Sequence, residues 1–146
     1  MLHFEGDKDF PQPPAELWAK LSDLRFIVQC IPDVEAVVKT EASAAQIKVR
    51  PGFSFVRSTL EITLRVLETG PHNSIRIAAH SKGIGSTSDV EASLVLTPRD
   101  DGTRIHWTAD ITALGGLLKA VPQGLIKASA QKVINDLWVA LEARLV

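Results

Sequence analysis

Cysteine is almost absent. Cys30 is the only one in 146 residues, which excludes an internal disulfide and a cysteine metal cluster and fits a reducing cytoplasm. No charge of one sign dominates: Lys and Arg total 16, Asp and Glu 17, and the formal net charge is -1. The basic footprint of a nucleic-acid binder is therefore missing. The longest apolar stretches are interrupted by charge, so no segment reads as a bilayer span. Met1-Leu2-His3-Phe4-Glu5-Gly6-Asp7 is acidic and short of apolar residues, and a signal peptide is not expected. Internal repeats, low-complexity tracts and linkers are lacking too. What is present is ordinary for a soluble chain, 45% hydrophobic and 23% charged, and residues 1–146 are expected to form one domain with a real core.

The clearest pattern closes the sequence. From Pro122 to Leu145, Ile126, Ala130, Val133, Leu137 and Leu141 recur at steps of three and four, and Ile134, Trp138 and Leu145 widen the stripe. Lys127, Lys132, Asp136 and Glu142 fall between them, as an amphipathic helix requires. Such a helix is roughly 35 Å long, and its broad apolar face needs a large partner surface.

The rest of the chain supplies strands. Residues 2–11 alternate weakly and read as an edge strand closed by Pro11, Pro13 and Pro14. Ala15–Leu21 forms a short helix behind Pro14; Ser22-Asp23 caps a second, Leu24 to Cys30, stopped by Pro32. The period then becomes two. Val34, Ala36 and Val38 share one parity, and so do Ala45, Ile47 and Val49. The strand Phe55 to Leu67 turns Leu60, Ile62, Leu64 and Val66 one way. Ile75, Ile77 and Ala79, then Val90, Ala92, Leu94 and Leu96, then Ile105, Trp107, Ala109 and Ile111, continue the alternation. Gly83-Ile84-Gly85 reads as a bulge or sharp bend. In Arg99-Asp100-Asp101-Gly102, Asp-Gly supplies the positive-φ residue of a hairpin. Connections of two to five residues imply antiparallel neighbours, and one polar face per strand implies a sheet covered on one side. The expected fold is α+β: a curved seven-stranded antiparallel sheet wrapped around the C-terminal helix, with two short helices after the first strand.

This order resembles the helix-grip fold of the START/birch-pollen-allergen superfamily, also called SRPBCC. The local matches are Phe4-Glu5-Gly6, the helix Pro14-Ala15-Glu16-Leu17-Trp18-Ala19-Lys20-Leu21-Ser22-Asp23, and Cys30-Ile31-Pro32. Gly115-Gly116-Leu117-Leu118 enters the long helix as in the subgroup named for the G subunit of carbon monoxide dehydrogenase. Asp33 stands where that family has glycine. Many subgroup members carry a C-terminal extension that aids membrane attachment, whereas this sequence stops with the helix at Val146. The resemblance implies a carrier of lipid or isoprenoid quinone, in transient contact with a membrane or an oxidoreductase complex.

A curved sheet around one helix rarely closes fully, and here the inward positions are almost wholly apolar. The expected ligand walls are Leu64, Ile77, Leu94 and Trp107 on the sheet, with Phe53 and Phe55 as a lip. If the long helix starts near Gly116, Pro122 kinks it and opens space lined by Leu118, Val121 and Leu125. Burial of apolar surface contributes about 25 cal/mol per Å² before association costs, so a prenyl or acyl chain needs no hydrogen bond to be held. The alternative for each of these residues is plain core.

No reaction can be read. His80 and His106 count as outward and His72 lies in a turn; with His3 they make no metal-ligand spacing. Glu61, Asp89, Glu91 and Asp110 also count as outward, unless a bulge at Gly83–Gly85 brings His80 or Asp89 inside. Cys30, between Val28 and Ile31, reads as a buried thiol, and Trp18 as a staple between the first helix and the sheet. No catalytic residue, metal or cofactor is expected. The reading is a cytoplasmic binder of a hydrophobic small molecule. Two others stay open: a cyclase- or hydrolase-like enzyme with one buried acid or base, and an assembly factor acting through an apolar surface patch.

Overall fold

Pro11, Pro13 and Pro14 separate the first strand from the first helix, because proline cannot continue a ladder yet fits a first helical turn. The computed structural model describes residues 2–53, 58–70 and 73–145. In chain order it runs β1 (Leu2–Phe10), α1 (Pro14–Leu21), α2 (Leu24–Val28), β2 (Val34–Thr40), β3 (Ala44–Val49), β4 (Leu60–Gly70), β5 (Ser74–Gly83), β6 (Ser86–Arg99), β7 (Gly102–Gly116), a 3-10 turn (Leu117–Ala120) and α3 (Gln123–Leu145). The seven strands form one antiparallel sheet in the order β1-β7-β6-β5-β4-β3-β2, curved around α3. The α+β helix-grip fold is as the alternation predicts.

Cross-strand partners share a face, so the register gives the inner rows directly. Ala45, Leu64, Ala79, Val90, Ile111 and Leu2 make one row. Val66, Ile77, Ala92, Ala109 and Phe4 make the next, then Ile75, Leu94, Trp107 and Gly6, then Leu96, Ile105 and Lys8. The interior divides along these rows. At one end Ile75, Leu96 and Ile105 are 1%, 2% and 0% exposed. There Phe10 and Trp107 each stand 6.2 Å, centroid to centroid, from Trp138 of α3, Leu17 and Leu21 of α1 are buried, and Trp18 Nε1 donates to Ser74 O at 3.3 Å. Toward the β5–β6 turn the same face is only half covered. Leu60, Ile62, Val66, Ile77, Ala79, Val90, Leu94, Ala109 and Leu114 all keep partial exposure.

Two features accompany this partial cover. Ala79, Ala92 and Ala109 put small side chains at the middle of the sheet, and the N-terminal half of α3 adds Ala130. Close backbone approach between α3 and the sheet is also sparse among the described residues, so side chains do most of the bridging. Of the buried side chains of α3, Trp138, Leu141 and Leu145 lie in its C-terminal half and Ile126 in its first turns.

Several local expectations need correction. Pro122 does not kink α3: it precedes the helix, and its carbonyl accepts from Leu125 N at 3.0 Å and Ile126 N at 3.2 Å. Gly83-Ile84-Gly85 is a tight hairpin turn with Gly83 paired to Ser86. The bulge lies opposite, on β7. Asp89 pairs with Ala113 and Val90 with Ile111, which leaves Thr112 as the extra residue and turns Leu114 inward. In the β6–β7 turn the positive φ belongs to Asp100, at 53°. Gly102 is needed for another reason, since a Cβ there would run into the Phe10 carbonyl. Along β2 the register slips twice, so Val37 and Val38 are both exposed instead of alternating. β4 begins at Leu60, and the expected start at Phe55 lies outside the described residues.

Candidate functional site

Of the expected ligand walls, the register sets Ile77, Leu94 and Trp107 on adjoining positions of the inner face. Ile77 and Leu94 sit on adjacent inner rows and are half-buried; Leu64, two strands from Leu94, is buried at 6% exposure. Leu118 and Val121, in the connection to α3, pack against the core from the open end. Phe53 is half-buried ahead of β4, and Phe55 lies outside the described residues. Leu125 is 43% exposed on the first turn of α3, while its neighbour Ile126 is buried.

Trp107 stands where the filled and open halves meet. It is 8% exposed, with Trp138 behind it and the half-buried row of Ile77, Ala92 and Ala109 in front. It therefore forms the floor of the open half. Its indole N–H has no hydrogen-bond partner among the described residues. The ring can lie against β1 only because residue 6 is glycine: a Cβ there would sit 2.9 Å from Trp107 Nε1.

Ionisable groups are kept out of this space. From β3 to β7, among the described residues, the inner face presents no histidine and no carboxylate. His80 pairs outward with Asp89, Nδ1 to Oδ1 at 2.6 Å, so the turn at Gly83–Gly85 brings neither inside. His106 Nδ1 meets Asp7 Oδ1 at 3.0 Å, and His3 bonds both Asp110 and Glu5. The hydrogen bond to Asp110, then that to Glu5, raises the pKa of His3 above its ordinary value. Arg76 bridges Glu68 and Glu91 on the same outer face, where a shallow depression of about 500 Å³ runs past His80, Asp89 and Glu91. Of its charged groups, His80 and Asp89 pair with each other and Glu91 with Arg76. Among the described strand residues, the inward charge is Lys8, tied to Glu142 of α3 at 3.5 Å at the filled end. Among the described residues no cluster of His, Cys, Asp and Glu is arranged to hold a metal ion. Cys30 is 2% exposed; burial pushes its pKa up, against a smaller opposing pull from Arg144.

Two inward positions escape a reading of the face as purely apolar. Ser81 and Ser88 pair across β5 and β6, between Ile62 on one side and Leu114 on the other, and their hydroxyls are hydrogen-bonded to each other. The signal was available. Ser81 continues the parity of Ile75, Ile77 and Ala79, and Ser88 that of Val90, Ala92 and Leu94.

Residues 6–146 match the family model of CoxG, the G subunit of carbon monoxide dehydrogenase. The chain belongs to that family. It thereby belongs to the SRPBCC superfamily that its element order resembles. Among solved structures, the chain is similar to a conserved protein from Geobacillus kaustophilus, with TM-score 0.85, 19% identity, and 99% of this chain and 95% of that one covered. The Mll3558 protein from Rhizobium loti gives TM-score 0.71 at 17% identity, covering 97% and 95%. Ara h 8.0201 gives 0.66 at 15% identity, covering 99% and 97%. At these identities the likeness speaks for the helix-grip fold alone. No curated protein matches the sequence. Within the described residues of this CoxG-family chain, no helix is long and apolar enough to cross a membrane.

Proposed function

We propose that the protein holds an apolar small molecule, a lipid or an isoprenoid quinone, in the open half of its interior. The observation that carries this reading is the exposure gradient along one sheet face. Large apolar side chains such as Leu60, Ile62, Val66 and Ile77 are turned inward yet only half-buried, whereas Leu96 and Ile105, two rows beyond Ile77, are sealed. Partly wetted apolar surface inside a fold gains free energy when an apolar chain covers it, at about 25 cal/mol per Å². The mechanism is sequestration: the tail lies over the alanine row and stops at Trp107.

Release would take place at the open end, where Ile84 is 84% and Leu117 66% exposed, near Lys82 and Lys119. That rim supports transient contact with a membrane, and the family's description, as part of a dehydrogenase, supports contact with an oxidoreductase complex. The single buried thiol fits a cytoplasmic setting. Native mass spectrometry of freshly purified protein tests the proposal. A copurified lipid or quinone adduct, or one formed on adding decylubiquinone, is the expected result. A spectrum at the bare sequence mass under both conditions would sink it.

A further inference from the structure

Toward the β5–β6 turn the inner face is apolar except in one place. Along the inner face of β4 to β7, hydroxyls gather in the two rows next to the β5–β6 turn. Ser81 and Ser88 face each other in one row, and Ser86 pairs with Gly83 in the next. Ser58 Oγ closes the rim by accepting from Ile84 N at 3.2 Å. A hydroxyl on a half-buried apolar face needs a partner. The strand amides and carbonyls around it are committed to the ladder, so Ser81 and Ser88 bond one another. Each hydroxyl has one proton to give and two lone pairs. Their mutual bond uses one proton and one lone pair, leaving one O–H and several lone pairs turned to the open half.

We propose that the Ser81–Ser88 pair anchors the polar end of the ligand and selects a single uncharged oxygen function, carbonyl or hydroxyl, over a carboxylate. This rests on the carrier reading above. The free O–H donates to a carbonyl oxygen, and the free lone pairs accept from a ligand hydroxyl, so one pair serves both. A carboxylate gains less. Among the described residues no cation faces inward near the pair: Lys82 is on the outward parity, opposite Glu61, and Lys8 is occupied by Glu142 at the filled end. A charge brought there would lose its hydration without a counter-ion. The polar end thus sits one row inside the mouth while the tail runs toward Trp107.

Pyrene, a fluorescent hydrocarbon with no hydrogen-bonding atom, reports occupancy of the interior, and n-dodecanol and dodecanoate compete with it near pH 8. In the wild-type protein dodecanol should displace pyrene at least about tenfold more effectively than dodecanoate. In the double variant Ser81→Ala/Ser88→Ala, dodecanol should weaken by about three- to tenfold, the size of one hydrogen bond, with pyrene affinity unchanged. Equal competition by alcohol and carboxylate in the wild type would overturn the selectivity without needing any variant. Undiminished dodecanol binding by the double variant would reduce the pair to a cross-strand sheet contact. Either result leaves the carrier reading standing if pyrene binds. Failure of pyrene and dodecanol alike to bind the wild type would remove both.

Discussion

Gly6 of β1 and Trp107 of β7 face each other so closely that a single added methyl at residue 6 would lie 2.9 Å from the indole nitrogen. The glycine fixes where the ring sits, and the ring, packed on Trp138, marks the end of the open interior. Gly6→Ala is therefore expected to cost about 1–3 kcal/mol, the usual penalty for overpacking, and to shift tryptophan fluorescence. Chemical denaturation followed by that fluorescence measures both. An unchanged midpoint would mean that Trp107 is free to move aside.

Ala109 gives the reverse experiment. It is inward, half-buried and surrounded by Ala92 and Phe4. Ala109→Leu should fit with a stability change within about 1 kcal/mol, because the added methylenes enter open space, and it should lower uptake of pyrene. A loss of about 3 kcal/mol would show an interior already packed full.

Asp33 adopts φ 62°, and its carbonyl accepts from Arg50 N at 3.0 Å. The turn after Cys30-Ile31-Pro32 thus keeps the left-handed conformation natural to glycine, although the side chain is aspartate. Asp33→Gly is expected to hold or slightly raise Tm, while Asp33→Val should lose about 1–2 kcal/mol through its Cβ strain. Thermal melts of the two variants decide the point, and equal behaviour would refute it.

His3 supplies a pH dependence with a definite sign. Its folded pKa is raised by Asp110 and Glu5, so its contribution to stability is fully present below the unfolded value of about 6.5 and disappears as pH rises through the folded value. The imidazole is exposed, and the effect is small. His3→Gln should melt below wild type near pH 5.5 and level with it near pH 9. A gap that widens with alkalinity would contradict the assignment.

The parts of this fold that could be read from the sequence are those in which one parity had to be buried. Ile105, Trp107 and Ile111 cannot slip by one residue without exposing a whole face, and Ile126, Trp138 and Leu141 mark the helix for the same reason. What could not be read depends on a single residue with no compositional mark. Thr112 adds one residue to β7 and turns Leu114 inward, and nothing in Asp110-Ile111-Thr112-Ala113 announces it. The β6–β7 turn places its positive φ at Asp100, one of two adjacent aspartates, because Gly102 is already paired with Arg99 in the ladder. Pro122 is compatible with a kink or with a start, and only the backbone bonds that its carbonyl accepts distinguish them. Among the expected ligand walls, Ile77 and Leu94 fall on the half-open face, while Leu125 is 43% exposed, one position out of phase with the stripe that begins at the buried Ile126. Ser81 and Ser88 were in phase with that face throughout, but two serines among aliphatics carry little weight in a hydrophobicity pattern.

The sealed aromatic end and the loosely covered end draw on different residues. Phe10, Leu96, Ile105 and Trp138 hold the architecture together, and Ala79, Ala92 and Ala109 contribute little to it. Substitutions in the second set can therefore accumulate without threatening the scaffold, so a lineage built on this plan is free to change cargo faster than it changes shape.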